Sequence, residues 1–184
     1  KPDNNHSWHQ ADLLKTDQIT DLVAQVSPSH LLHFAWYAEP KKYWTSPINL
    51  QWLQSSISLL EAFKNNGGKR ALFAGTCAEY EWKFSKYLEN KTPLNPSTLY
   101  GTCKHSLQII LDAYSRETQL SSAWGRIFFL FGPGEHPDRL VSSVIRSLLK
   151  NETVPCSKGD QLRDFLYVED LASAFVSILE SDVE

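Results

Sequence analysis

The chain has 184 residues, enough for one domain with a substantial core. Its net charge of −3, without blocks of like charge, excludes the basic footprint of a nucleic-acid binder or a polybasic membrane patch. Apolar runs such as Ile127–Phe131 are too short to span a bilayer, and the polar start Lys1–Asn5 carries no signal-peptide pattern.

The three cysteines, Cys77, Cys103 and Cys156, have no C-x-x-C spacing and read as free thiols of a reducing compartment. His6 and His9 have a ligand-like spacing but no carboxylate or Cys partner nearby, so a surface role is expected for them. The expectation is a soluble, cytoplasmic protein that binds no metal, nucleic acid or membrane.

In chain order, Ile19, Leu22, Val23 and Val26 have helical spacing over 17–26, and Ser27-Pro28 ends that helix. Residues 29–35 (SHLLHFA) form an apolar run of the kind found in buried parallel strands. Ser46-Pro47 opens a long helix whose stripe is Trp52, Leu53, Ile57, Leu60 and Phe63, and Gly67-Gly68 closes it. Residues 71–75 (ALFAG) are the next strand. A polar loop with Pro93 and Pro96 leads to a helix over 99–118. A strand is expected over 122–131, stopped by Gly132-Pro133-Gly134. Residues 137–150 read as helix, 154–166 as irregular or short strand, and 168–179 as a final helix opened near Asp170. Strand and helix alternate, which predicts an α/β fold with a doubly wound parallel sheet.

One helical turn separates Tyr100 from Lys104, so the two side chains share a face. An ammonium there favours tyrosinate and is expected to draw the phenol down from its ordinary pKa of about 10. A phenol tuned in that way exchanges the proton of a hydroxyl with a substrate. Thr76, closing an apolar strand, offers a hydroxyl to orient the same oxygen. His33, within an apolar strand, reads as a satisfied core histidine. No three of the eight glycines fit G-x-x-G-x-x-G or G-x-G-x-x-G, so a dinucleotide phosphate cradle is not written in these residues.

Six segments in order resemble the extended short-chain dehydrogenase/reductase family of nucleotide-sugar epimerases, dehydratases and ketoreductases. They are His33-Phe-Ala-Trp36, Asn49, Gly75-Thr76-Cys-Ala-Glu-Tyr80, Tyr100-x-x-x-Lys104, Arg126 through Gly134, and Arg163-Asp-Phe-Leu-Tyr-Val-Glu-Asp170. Ala11-Asp12-Leu13 is similar to the short piece that the family places near the adenine. The resemblance implies a partial Rossmann-type domain over 1–134 and the beginning of a small substrate-binding region over 135–184. Because family members carry the glycine-rich turn roughly 60 residues before the H-x-A strand, the chain reads as a fragment lacking its first two strands and first helix.

The resemblance also implies roles. Tyr100 is the expected general acid/base, Thr76 the partner hydroxyl, and Lys104 both tunes Tyr100 and holds the nicotinamide ribose. Asp12, Leu13, Phe34, Ala35, Trp36 and Asn49 are expected beside the cofactor, NAD or NADP. Arg163 and Arg139 are expected at the substrate, a nucleotide sugar, with a salt bridge to Asp164 or Asp170 as the alternative use of Arg163. Asn49 equally suits a purely structural place in the first turn of its helix. Dehydratases of the family carry Thr-Asp-Glu where this chain has Thr76-Cys77-Ala78, which points to an epimerase or ketoreductase. A non-catalytic scaffold of the same fold is the alternative. A homodimer through the long helix and the Tyr100 helix is also implied, although a core role explains the Trp52 and Ile57 stripe equally well.

Overall fold

The computed structural model describes residues 6–183; the Lys1–Asn5 segment lies outside the described residues. Three strands, β1 (His30–His33), β2 (Arg70–Thr76) and β3 (Ser121–Ile127), form a parallel sheet in the order β1-β2-β3. Five helices accompany them among the described residues: α1 (Thr16–Val26), α2 (Ile48–Asn65), α3 (Leu99–Thr118), α4 (Leu140–Leu149) and α5 (Val168–Leu179). Parallel neighbours demand crossover connections, and helices supply them.

β2 is buried along its whole length because it is the central strand and is covered on both faces. Its alternate side chains divide between two cores. Ala71 and Phe73 pack against Leu60 and Phe63 of α2 and Leu107 and Leu111 of α3. Leu72 and Ala74 point the other way, toward Phe175 of α5. α1 lies outside α2, where Ile19 and Val23 meet Leu59 and Ala62. This is the doubly wound arrangement expected from the alternating pattern.

Some boundaries differ from expectation, each for a local reason. Ser46 does not cap α2 through its side chain; Pro47 takes the cap position, and the Ser46 carbonyl accepts from the Asn49 amide. The strand expected over 122–131 is two strands. The chain leaves the first sheet after Ile127, Phe128 packs on Tyr80 and Tyr87, and β4 (Phe129–Phe131) pairs in parallel with β5 (Phe165–Tyr167) in a second sheet. An uninterrupted apolar run carries no mark of such a change of partner. α5, which follows β5 and spans the 168–179 expected for it, returns to the first sheet. Its ring Phe175 lies where a Cβ at Gly125 would stand, 2.4 Å from Cζ.

Arg70 ties that return in place. Its guanidinium donates to the carbonyls of Ile178, Leu179 and Val183 and to the Ser121 hydroxyl, closing the C-terminal end of α5 on the base of the sheet.

Candidate active site

The site forms at the C-terminal end of β2, the position where open parallel sheets bind ligands. Thr76 closes the strand in extended conformation and caps a 3₁₀ turn, Cys77–Glu79, with its Oγ1 accepting from the Ala78 amide at 3.2 Å. Opposite it, α3 begins at Leu99 after Thr98, whose hydroxyl accepts from the Gly101 amide. Gly101 lets the two elements meet. A Cβ there would stand 2.4 Å from the Ala78 carbonyl oxygen. Without that close approach Tyr100 would not reach Thr76. The Thr76 hydroxyl lies near enough to the Tyr100 phenol to favour its charged form.

Aromatic rings enclose the phenol. Tyr100 meets Tyr43, Trp44 and Trp36 edge to face, with centroids 4.8, 5.8 and 6.4 Å away. Burial pushes the Tyr100 pKa up to about 12, helped by Tyr43, Cys77 and Glu79 and opposed by the Thr76 side chain. The expectation that Lys104 draws the phenol below 10 therefore fails in this structure. Burial of the phenol is the largest cause, and Lys104, 3% exposed, is itself held down to about 7 by burial, which the charge of Glu79 only partly offsets. A lysine poised between charged and neutral supplies no full cation to its neighbour.

Lys104 Nζ donates to the Ala74 carbonyl at 2.9 Å and sits 4.0 Å from the centroid of the Trp36 ring. Trp36 is held in turn, its Nε1 donating to Asn49 Oδ1 at 2.8 Å. Asn49 is fully buried and donates to the carbonyls of Tyr43 and Ser46. Its interactions in the structure thus organise the loop before α2 and set the aromatic wall. His33 matches its expected role as a satisfied core histidine, bonded to Ser56 and held neutral, with a pKa of about 3, by burial and then by Lys104.

The other named residues fall elsewhere. Asp12 is exposed and accepts from the Leu14 amide, while the Leu13 carbonyl accepts from the Ser55 hydroxyl of α2. Phe34, 45% exposed, packs on Phe175, and Ala35 is half-buried beside it. Arg139 acts on the Tyr43 phenol, opposing the upward push of burial. Arg163 makes neither of the salt bridges considered for it. Its guanidinium donates to Leu162 O and Gln161 Oε1, lies 5.2 Å from the Phe129 ring, and reaches Cys77 electrostatically. Asp164 and Asp170 sit on either side of β5, whose short pairing with β4 turns the chain between them.

Sequence reading missed Glu79. This carboxylate is fully buried beneath the site, where it accepts from the Thr76 amide at 2.7 Å, from Trp124 Nε1 at 3.0 Å and from Arg126 Nε at 2.7 Å. The available signal was Thr76-x-x-Glu79, the spacing of a capping box, which the structure contains.

The fold is of the Rossmann type, with Tyr100, Lys104 and Thr76 near the C-terminal end of its central strand. The family model described as "NAD dependent epimerase/dehydratase family" matches residues 1–184. The chain belongs to that family.

It is 24% identical over 190 residues to a UDP-glucuronate 4-epimerase from Thermodesulfobacterium geofontis, covering 98% of this chain and 57% of that protein. It is 28% identical over 182 residues to UDP-glucuronic acid decarboxylase 1 of Xenopus tropicalis, covering 94% of this chain and 42% of the relative. Among solved structures, UDP-N-acetylglucosamine 4-epimerase from Methanobrevibacter ruminantium M1, in complex with UDP-N-acetylmuramic acid, superposes with a TM-score of 0.87 at 25% identity. That match covers all of this chain and 61% of the other. A Thermus thermophilus UDP-glucose 4-epimerase in complex with NAD gives 0.77 at 25% identity, covering 93% of this chain and 59% of the other. The chain thus spans about half the length of the curated relatives it matches.

The family implies a nicotinamide dinucleotide, and the residues present fit its hydroxyl-bearing part. The buried Lys104 amine has one oxygen partner, Ala74 O, and further N–H capacity facing the Trp36 ring. Among the described residues, no group of three or more His, Cys, Asp or Glu is placed to hold a metal, and no helix is long and apolar enough to cross a membrane.

Proposed function

We propose that this chain carries the proton-transfer part of an NAD-dependent nucleotide-sugar epimerase or ketoreductase, with Tyr100 as general acid/base. The observation that carries the reading is the close approach of α3 to the turn after Thr76, which brings Tyr100 beside Thr76, with Lys104 buried on the same helix one turn away. NAD, named in the family's description and present in the Thermus thermophilus neighbour, is the cofactor we assign, with Lys104 holding its ribose. The substrate class follows the UDP-sugar relatives. Arg163 and Arg139, whose charges reach Cys77 and Tyr43 at the mouth of the site, suit its phosphates. Asp12, Leu13, Phe34, Ala35, Trp36 and Asn49 keep their place as the cofactor side of this reading.

When bound, the nicotinamide supplies the acceptor or donor of the hydride at the sugar carbon. The chain's own groups handle the oxygen. Thr76 Oγ1 orients it by hydrogen bonding, and Tyr100 gives its phenolic proton to a carbonyl or takes the proton of a hydroxyl. With its pKa pushed up to about 12, the phenol is protonated at neutral pH, so the acid direction is ready. The base direction requires a charged Lys104, which its burial disfavours. Trp36, Tyr43 and Trp44 pack edge to face around the Tyr100 ring and leave it half-buried.

Elimination of water is disfavoured because Cys77 and Ala78 offer no carboxyl group and Glu79 has both oxygens committed to Thr76, Trp124 and Arg126. A scaffold without catalysis gives no reason to bury a lysine beside Tyr100. Residues 1–134 would serve the dinucleotide and those from 135 onward the substrate, apart from α5, which packs on the first sheet. Leu50 of α2 and Ile109 of α3 are exposed on the helices expected to dimerise, which supports that assembly.

In the full-length protein, Tyr100→Phe is expected to abolish turnover of UDP-sugars while NAD still binds, as followed by NADH fluorescence. Retained turnover removes Tyr100 from the chemistry.

A further inference from the structure

Behind the hydroxyl, phenol and amine stands a second layer of charge. Glu79 is fully buried at the end of the 3₁₀ turn, and all its partners lie on elements that build the site. Oε1 takes the Thr76 amide at 2.7 Å and Trp124 Nε1 at 3.0 Å; Oε2 takes Arg126 Nε at 2.7 Å. Trp124 and Arg126 come from β3, paired beside β2 in register at Phe73 and Gly75. Gly75 is small where this network passes. A Cβ there would lie 2.2 Å from Trp124 Nε1 and 2.7 Å from Glu79 Oε1. The Arg126 guanidinium, mostly buried, also stacks 5.3 Å from the Tyr80 ring. Glu79 therefore clamps the backbone of Thr76 from below and leaves Thr76 Oγ1 to face Tyr100.

We infer that Glu79, locked by Arg126 and Trp124, is the positioning residue of this site, holding Thr76 in line with Tyr100 and setting the charge beneath Tyr100 and Lys104. This rests on the proton-transfer role proposed above for Tyr100. It touches neither substrate nor cofactor, so its effect passes through Thr76 and through the field at the two titrating groups. The electrostatics agree in sign: the carboxylate raises both the Tyr100 phenol and the Lys104 amine. Other groups face the same pair. Thr76, Cys77 and Tyr43 face Tyr100, and His33 of β1 faces Lys104. Arg139 and Arg163 act one step further out, at Tyr43 and Cys77.

The charge of Glu79 is separable from its shape. Glu79→Gln keeps an acceptor for the Thr76 amide and removes the negative charge, while Arg126→Gln leaves that charge uncompensated. Removing a negative charge lowers both pKa values, and removing a positive charge raises both. In the full-length enzyme, Glu79→Gln is expected to reduce kcat about tenfold with KM and the NAD Kd within about twofold, and to move the pH limb of kcat to lower pH. Arg126→Gln is expected to move the same limb to higher pH, and the double variant to return it toward the wild-type position.

A merely structural contact shifts thermal stability and leaves the limb where it was. Limbs that coincide with wild type in both single variants overturn the inference, as does a Glu79→Gln effect confined to KM. A substrate-free measurement separates this from the activity: the Cζ resonance of Tyr100 in 13C-tyrosine-labelled protein, assigned by Tyr100→Phe. Titration midpoints moving in opposite directions in the two variants support the inference even if no nucleotide sugar is turned over. Unmoved midpoints in an enzyme that depends on Tyr100 refute it and leave the catalytic assignment intact.

Discussion

Gly101→Ala separates local from tertiary forces at the point where the site is assembled. In an isolated helix the change is favourable, because alanine exceeds glycine by about 0.5–1 kcal/mol in a helix interior. Here the new Cβ would meet the Ala78 carbonyl oxygen at 2.4 Å and Pro96 Cβ at 3.0 Å. Ordinary contact begins at 3.4 Å, so α3 and the 3₁₀ turn must part by about 1 Å. The obstructing atom is backbone and cannot rotate away. Overpacking of this kind costs about 1–3 kcal/mol, and a backbone clash falls at the upper end.

The net expectation is a loss of about 2 kcal/mol, read as a lower urea midpoint at unchanged slope. The same displacement separates Tyr100 from Thr76, and about 1 Å of misplacement lowers kcat by about 100-fold. A variant as stable as wild type, or more stable, would refute the reasoning. So would full turnover in a destabilised one.

Other predictions follow from burial. Lys104 is held near 7 in the folded chain against 10.5 ordinarily, so the unfolded chain binds more protons between those values. Stability from this group therefore rises as pH increases from about 7 toward 10.5, and Lys104→Met is expected to flatten that rise and to stabilise the protein at pH 7; unfolding by urea at pH 6.5 to 9.5 measures both. Phe63, fully buried between α2, β2 and α3, is expected to cost about 3–5 kcal/mol on change to Ala, and a loss below about 1 kcal/mol in the same assay would contradict its core position.

Much of this protein was legible residue by residue. The apolar run of β2, the glycines after α2 and the Tyr100–Lys104 spacing are local signals, set by backbone sterics and side-chain period. They carried the fold class, the order of elements and the trio Thr76, Tyr100 and Lys104.

What lay beyond reach depends on distance in space. The sheet change at Phe128 and the aromatic enclosure of Tyr100 arise only when β4 finds β5 and the loop at Tyr43 folds over α3. Enclosure then reverses the expected electrostatics, since burial of the phenol pushes its pKa up and burial of the Lys104 amine pushes its pKa down. Glu79 shows both levels at once. Its spacing from Thr76 is written in the chain, but its partners Trp124 and Arg126 arrive 45 and 47 residues later, brought by the pairing of β3 with β2. Hydrogen bonds and charges act through space, so the sequence names these groups while their strength depends on the burial that packing imposes.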